Sequence, residues 1–150
     1  MNASTQALSI SLMRKIANVA VMVRAEFPSA TPDLSPWLTD DITRQQMNPS
    51  SIDLSFTSRQ ESDLLNCRCV LLQVIFSDAL LEPTCHLIGI EASGHDHQGQ
   101  CWTFSTEADW QFAGSKPPQN LYQRKRFIYL LKKILALFNY PTALSQSVLE

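Results

Sequence analysis

Between Ser51 and Thr57, apolar and polar residues alternate one for one, with Ile52, Leu54 and Phe56 set against Ser51, Asp53, Ser55 and Thr57. Successive side chains of a strand point to opposite sides, so this period specifies a strand with one dry face. The same period returns in residues 65–77. Val70, Leu72, Val74 and Phe76 share one face there; Cys67, Cys69, Leu71, Gln73 and Ile75 share the other. It returns again in residues 84–106, where Ile88, Ile90, Ala92, Trp102 and Phe104 have one parity around Asp96-His97-Gln98-Gly99. That stretch reads as a β-hairpin whose three-residue loop ends on a left-handed glycine. Ala92 is expected to face Trp102, and Ile90 to face Phe104, because a one-residue slip would turn Trp102 to solvent.

The flanks carry a different period. Leu8, Leu12, Ile16, Val19, Val23 and Phe27 recur at helical spacing, which predicts a helix over 4–26 capped by Ser4 or Thr5 and ended by Pro28. Phe127, Leu130, Leu131, Ile134, Leu137 and Phe138 do the same for a second long helix over 119–139, stopped by Tyr140-Pro141. Residues 28–50 hold four prolines and read as a connector, with a short helix from Pro36 to about Met47 started by Ser35. A short irregular strand is expected within 106–118, and a frayed tail over 142–150.

Strands run together rather than alternating with helices. The expected fold is therefore α+β: one domain over 1–150, an antiparallel meander of four to five strands, and the N- and C-terminal helices packed on one face. The order helix, sheet, helix resembles small dimeric α/β chaperones and helix-grip folds, a likeness of element order rather than of motif. The buried sheet face is expected to be Ile52, Leu54, Phe56, Val70, Leu72, Val74, Phe76, Ile88, Ile90, Trp102 and Phe104.

Four groups of residues bear on function. The first is His95, His97 and Cys101, residue types that ligate zinc. If Leu72 faces Ile90, then Cys67 faces His95, Cys69 faces Ser93, and Ser93 faces Cys101, all on the outer sheet face. Neighbouring positions along and across a sheet stand too far apart for one ion, and no C-x-x-C motif is present. The second group is acid–base: Asp53, Glu91, Ser93 and Thr103 share the outer parity, and no nucleophile or phosphate-loop motif accompanies them. No catalytic residue and no cofactor is assigned. The third group is Trp102, Trp110, Phe112 and Phe127, which could line a ligand cleft between the sheet and the C-terminal helix; aromatics at core parity are more often plain core. The fourth is an interaction surface: Cys69, Leu71 and Ile75, too apolar for a wet face, with Arg124, Lys125 and Arg126 on the last helix.

Charge is laid out unevenly. Twelve of the 14 acids lie between Asp33 and Asp109, and nine of the 12 bases lie in the terminal regions. Such a basic helical side could meet an acidic protein, nucleic acid or an anionic membrane. The pI of about 5.9 disfavours nucleic acid. Residues 1–25, with Arg and Ser and no acid, loosely resemble a transit peptide, but their amphipathic pattern is one a folded domain uses. No apolar run reaches a membrane span. The reading is a cytoplasmic, non-catalytic protein-interaction, adaptor or assembly module that binds a protein partner or itself. A ligand-binding or enzymatic helix-grip-like domain is the alternative, and metal binding on the 94–101 turn the second alternative.

Overall fold

In a computed structural model, which describes residues 1–139, the strand periods become one six-stranded antiparallel meander in the order β1-β2-β3-β4-β5-β6. The strands are β1 (Thr31–Asp33), β2 (Ser51–Thr57), β3 (Cys69–Phe76), β4 (Leu87–Asp96), β5 (Gly99–Ser105) and β6 (Phe112–Ala113). Helices α1 (Ile10–Glu26) and α3 (Leu121–Asn139) pack together on one face, and a short α2 (Asp41–Gln46) lies in the connector. The class is α+β as expected, with one strand more than the upper expectation. Tyr140-Pro141 and the 142–150 tail lie outside the described residues.

The inner face follows the parity. Ile52, Leu54, Phe56, Val70, Leu72, Val74, Ile90, Trp102 and Phe104 are buried beneath Leu12, Ile16, Val19 and Val23 of α1 and Phe127, Leu130, Leu131, Ile134 and Phe138 of α3. Ile88 is the exception and is exposed. The register shifts between Ile75 and Phe76, so Gly89 faces Ile75 while Leu87 faces Phe76. Leu87 then packs on the core in the place expected for Ile88.

The hairpin register also differs from expectation. Ala92 faces Phe104, and Gly94, not Ala92, faces Trp102. The cause is ring volume: a Cβ on Gly94 would sit 2.3 Å from Cε2 and Nε1 of Trp102. Only glycine leaves room for the indole there, and the ring fixes the pairing. A second shift after Gly94 brings Asp96 opposite Gly99, leaving His97 and Gln98 as the turn, with the Gln98 amide donating to Asp96 Oδ1 at 2.8 Å. The β3–β4 pairing moves in step, so Leu72 faces Ala92 and Cys69 faces His95.

Several expected boundaries move for the same kind of reason, a tertiary partner winning over a local one. Helix α1 starts at Ile10, capped by Ser9, whose hydroxyl accepts from the Leu12 amide. Residues before it run alongside β2, where the Ala3 amide donates to the Asp53 carbonyl at 2.8 Å. Gln6 Nε2 donates to the Pro49 and Ser51 carbonyls. Asn2 holds both the amide and the carbonyl of Trp37. The connector helix likewise begins at Asp41 rather than Pro36, with Asp40 as its cap. Strand β3 begins at Cys69 rather than 65. Leu64 and Leu65 plug the core instead, and Leu65 and Asn66 adopt left-handed φ of 51° and 60°. Such backbone costs of order 1 kcal/mol per residue and persists where the surroundings enforce it. Here Trp102 Nε1 donates to the Leu65 carbonyl at 3.1 Å, and Gln123 of α3 accepts from the Leu65 amide at 3.0 Å.

Both sheet edges are short, β1 with three residues and β6 with two. Residues 1–3 flank the start of β2 and β1 its end; β6 and the Lys116 amide flank β5. Pro32 sits where an edge tolerates a missing donor.

Candidate functional site

The outer sheet face divides in two. Over β2 it is covered by the chain itself: Ser51, Asp53 and Ser55 are buried although they carry polar parity. Asp53 is held from three sides. Its Oδ2 accepts from the Met1 ammonium at 2.8 Å and from Trp37 Nε1 at 2.6 Å, and its Oδ1 accepts from Ser51 Oγ at 2.7 Å. A carboxylate so engaged is a structural counter-ion, not a base open to substrate. Sequence reasoning did not find this cluster, because its members are 16 and 52 residues apart and leave no local signal.

From β3 to β6 the outer face is open. A shallow concavity of about 490 Å³ lies between the strands and the 106–111 loop. Gln73, Glu91, Ser93, Thr103 and Ser105 line its floor, with Asp109 and Gln111 on the loop side. Asp109 and Trp110 both take left-handed φ, near 60°, which turns the loop back so that Trp110 meets Phe104 edge to face. Leu71, Ile75 and Cys69 are half-buried on the same face. Two acids and no base line the concavity.

Ser93 Oγ and His95 Nε2 share a hydrogen bond at 2.8 Å, the nearest approach to a nucleophile–base pair on this face. Among the described residues nothing holds the other ring nitrogen of His95.

The four cysteines stand in different surroundings. Cys67 is buried, with its thiol donating to the Leu64 carbonyl, and burial, aided by the Cys101 thiol, pushes its pKa up to about 12. Cys101 is also buried, and its pKa is raised by burial first and by Asp96 second. Cys69 pairs with His95 across the strands, and His97 stands exposed in the turn. All four cysteines are free. Among the described residues, no three His, Cys, Asp or Glu side chains come together to hold a metal ion.

The proposed ligand-lining aromatics pack on each other. Trp102 and Phe127 are fully buried, with ring centroids 5.8 Å apart, and Phe112 stands 5.0 Å from Trp102. Phe104 adds a fourth ring, 4.8 Å from Phe112. Rings at these distances fill the space between the sheet and α3 where a helix-grip cleft was expected. The bases of α3 diverge as well: Arg124 lies over Phe112, Arg126 bonds Glu26 of α1 at 3.0 Å, and Lys125 points outward, exposed.

Residues 4–140 match the model of a family described as a domain of unknown function. The chain belongs to that family. The match spans both long helices and all six strands, so the family is defined on this fold as a whole. No curated protein and no solved structure matches the chain. Among the described residues, no helix is long and apolar enough to cross a membrane.

Proposed function

We propose that this domain is a non-catalytic protein-interaction module, an adaptor or assembly factor, that self-associates through the open half of its outer sheet face. The observation that carries this reading is the concave, half-apolar surface beside Leu71 and Ile75 on a sheet whose edge strands are very short. Strand addition at an edge would have ladders of only two or three residues to extend, so docking falls to the face. A patch over β3 to β5, three strands wide and seven residues long, measures roughly 14 by 23 Å, the size of a weak, transient interface, and gives an expected Kd in the micromolar range or weaker. Glu91 and Asp109 place like charge on both copies, so association strengthens as salt screens them.

Sedimentation velocity over a range of about 1 to 500 µM tests the proposal. The expected result is a concentration-dependent dimer that Leu71→Arg dissociates while the urea midpoint stays near that of the wild type. A monomer throughout that range contradicts it. Cytoplasmic residence goes with this reading as a proposal, resting on four free thiols.

A further inference from the structure

The helical layer opposite that face has a different chemistry. Helix α3 carries Arg124, Lys125, Arg126, Lys132 and Lys133 with no acid; α1 carries Arg14, Lys15 and Arg24 against Glu26 alone. Eight bases against one acid leave a formal surplus of seven, in a chain whose net charge is −2. Lys15 is buried and Arg126 is paired with Glu26, so the excess on this side of the sheet is carried by Arg14, Arg24, Arg124, Lys125, Lys132 and Lys133.

That surface is also apolar at its crest. Leu12, Ile16, Val19 and Val23 of α1 face the core, yet a second stripe at Ile10, Met13, Ala17 and Val21 faces away from it. Ile10 is 70% exposed and Val21 66%. On α3, Leu121, Tyr122 and Tyr129 are exposed. Six of the 11 large hydrophobic side chains exposed among the described residues sit on these two helices, which is too many for scattered surface residues. Bases and rings are interleaved: Arg126 lies 5.2 Å from the Tyr122 centroid and Lys133 4.8 Å from that of Tyr129.

We infer that the α1–α3 layer is a docking face for an anionic lipid surface, bound peripherally and in plane. Two features of the surface favour lipid over an acidic protein. First, the aliphatic residues protrude singly along rods about 25 and 28 Å long. Single, spaced anchors suit a fluid plane that deforms around each one, whereas a protein partner is met by a groove or a packed patch. Second, tyrosine beside Lys or Arg is the pairing that settles at headgroup depth, with the ring in the interface and the charge on the lipid phosphates. Surface electrostatics orients the approach: the remaining chain has four bases against 13 acids and is repelled by the same membrane. The outer sheet face is left free on the far side, and this inference does not depend on the self-association proposed above.

Co-sedimentation with large vesicles of phosphatidylcholine, with or without about 30% phosphatidylserine, tests it. The whole chain is expected to bind the anionic vesicles at low salt and not the neutral ones, and to lose at least about tenfold in affinity as salt rises severalfold. Lys125→Glu with Lys132→Glu is expected to cost at least about tenfold, since each base near such a surface contributes severalfold. Ile10→Ser with Val21→Ser is expected to weaken binding about tenfold while leaving the salt dependence unchanged. All four positions are exposed, and an unchanged urea midpoint confirms that each variant is folded. Failure to bind anionic vesicles, equal binding to neutral ones, or equal binding by the charge-reversed variant overturns the inference. Tighter binding to soluble poly-glutamate than to anionic vesicles also overturns it, and assigns the face to an acidic protein.

Discussion

Removing the Asp53 carboxylate is the sharpest perturbation the fold offers. The group is 1% exposed and accepts three hydrogen bonds, one from the Met1 ammonium, one from the Trp37 indole and one from Ser51. A hydrogen bond to a charged group contributes about 1.5–3 kcal/mol, but Asp53→Ala does not forfeit the full sum. The ammonium is partly exposed and keeps the Asn48 carbonyl at 3.0 Å and Ser51 Oγ at 2.9 Å, so water restores part of its solvation. Ser51 Oγ keeps the Asn48 carbonyl at 3.2 Å. The indole N–H has no second acceptor among the described residues and loses most. Desolvation of the carboxylate, already unfavourable in the folded state, is relieved by the substitution. The net expectation is a loss of about 3 kcal/mol, or roughly 6–12 °C in Tm for a domain of this size. Asp53→Asn keeps an acceptor for the indole but cannot neutralise the ammonium, so it should cost about half as much. Urea unfolding followed by tryptophan fluorescence reads both. A loss below about 0.5 kcal/mol for Asp53→Ala, or equal losses for the two variants, would refute the reasoning.

Gly94→Ala should cost about 3 kcal/mol, because the new Cβ displaces the Trp102 ring and breaks its bond to the Leu65 carbonyl; near-ultraviolet circular dichroism and urea unfolding would show it. Gln123→Ala removes the acceptor of the Leu65 amide and the donor to the Ser62 carbonyl, and should cost about 1–2 kcal/mol; faster hydrogen exchange confined mainly to 58–68 would be its mark. Burial holds the Cys67 thiol protonated to about pH 12, whereas the unfolded chain loses that proton near pH 8.5–9. The folded-state pKa is the higher one, so this contribution to stability is intact below about pH 9 and declines as pH rises toward 12. Urea midpoints should fall more steeply above pH 9 in the wild type than in Cys67→Ala, and iodoacetamide should reach the half-buried Cys69 and Cys85 before Cys67.

The sheet was legible because its signal is local. Period two in 51–57 and 65–77 named the buried face almost residue by residue, and the stripes of α1 and α3 named what covers it. Register was not legible, because it turns on a missing side chain: Gly94 opposite Trp102 is visible only once the ring is placed. β1 and β6, at three and two residues, are too short to show a period. The N-terminal cover over β2 rests on side-chain amides bonding 35 to 45 positions away, where no window of sequence links donor to acceptor. As a result, the part of the outer face over β2 that parity assigned to solvent is interior. The two proposed surfaces were legible only in part. Leu71 and Ile75 were found by their parity, but the second apolar stripe of α1 was hidden behind the first, since a helix with two apolar faces reads simply as more core.

The central claim, that the open sheet face and not the helical layer joins two copies, is tested most directly by intermolecular paramagnetic broadening. Isotope-labelled chain is mixed with unlabelled chain bearing a nitroxide at Gln111→Cys, beside the concavity, with the native cysteines replaced by serine or alanine where each is tolerated. Broadening at Leu71, Gln73, Ser93 and Thr103, with Lys125 and Lys132 unaffected, is the expected result. No intermolecular broadening, or broadening concentrated on α1 and α3, would contradict it.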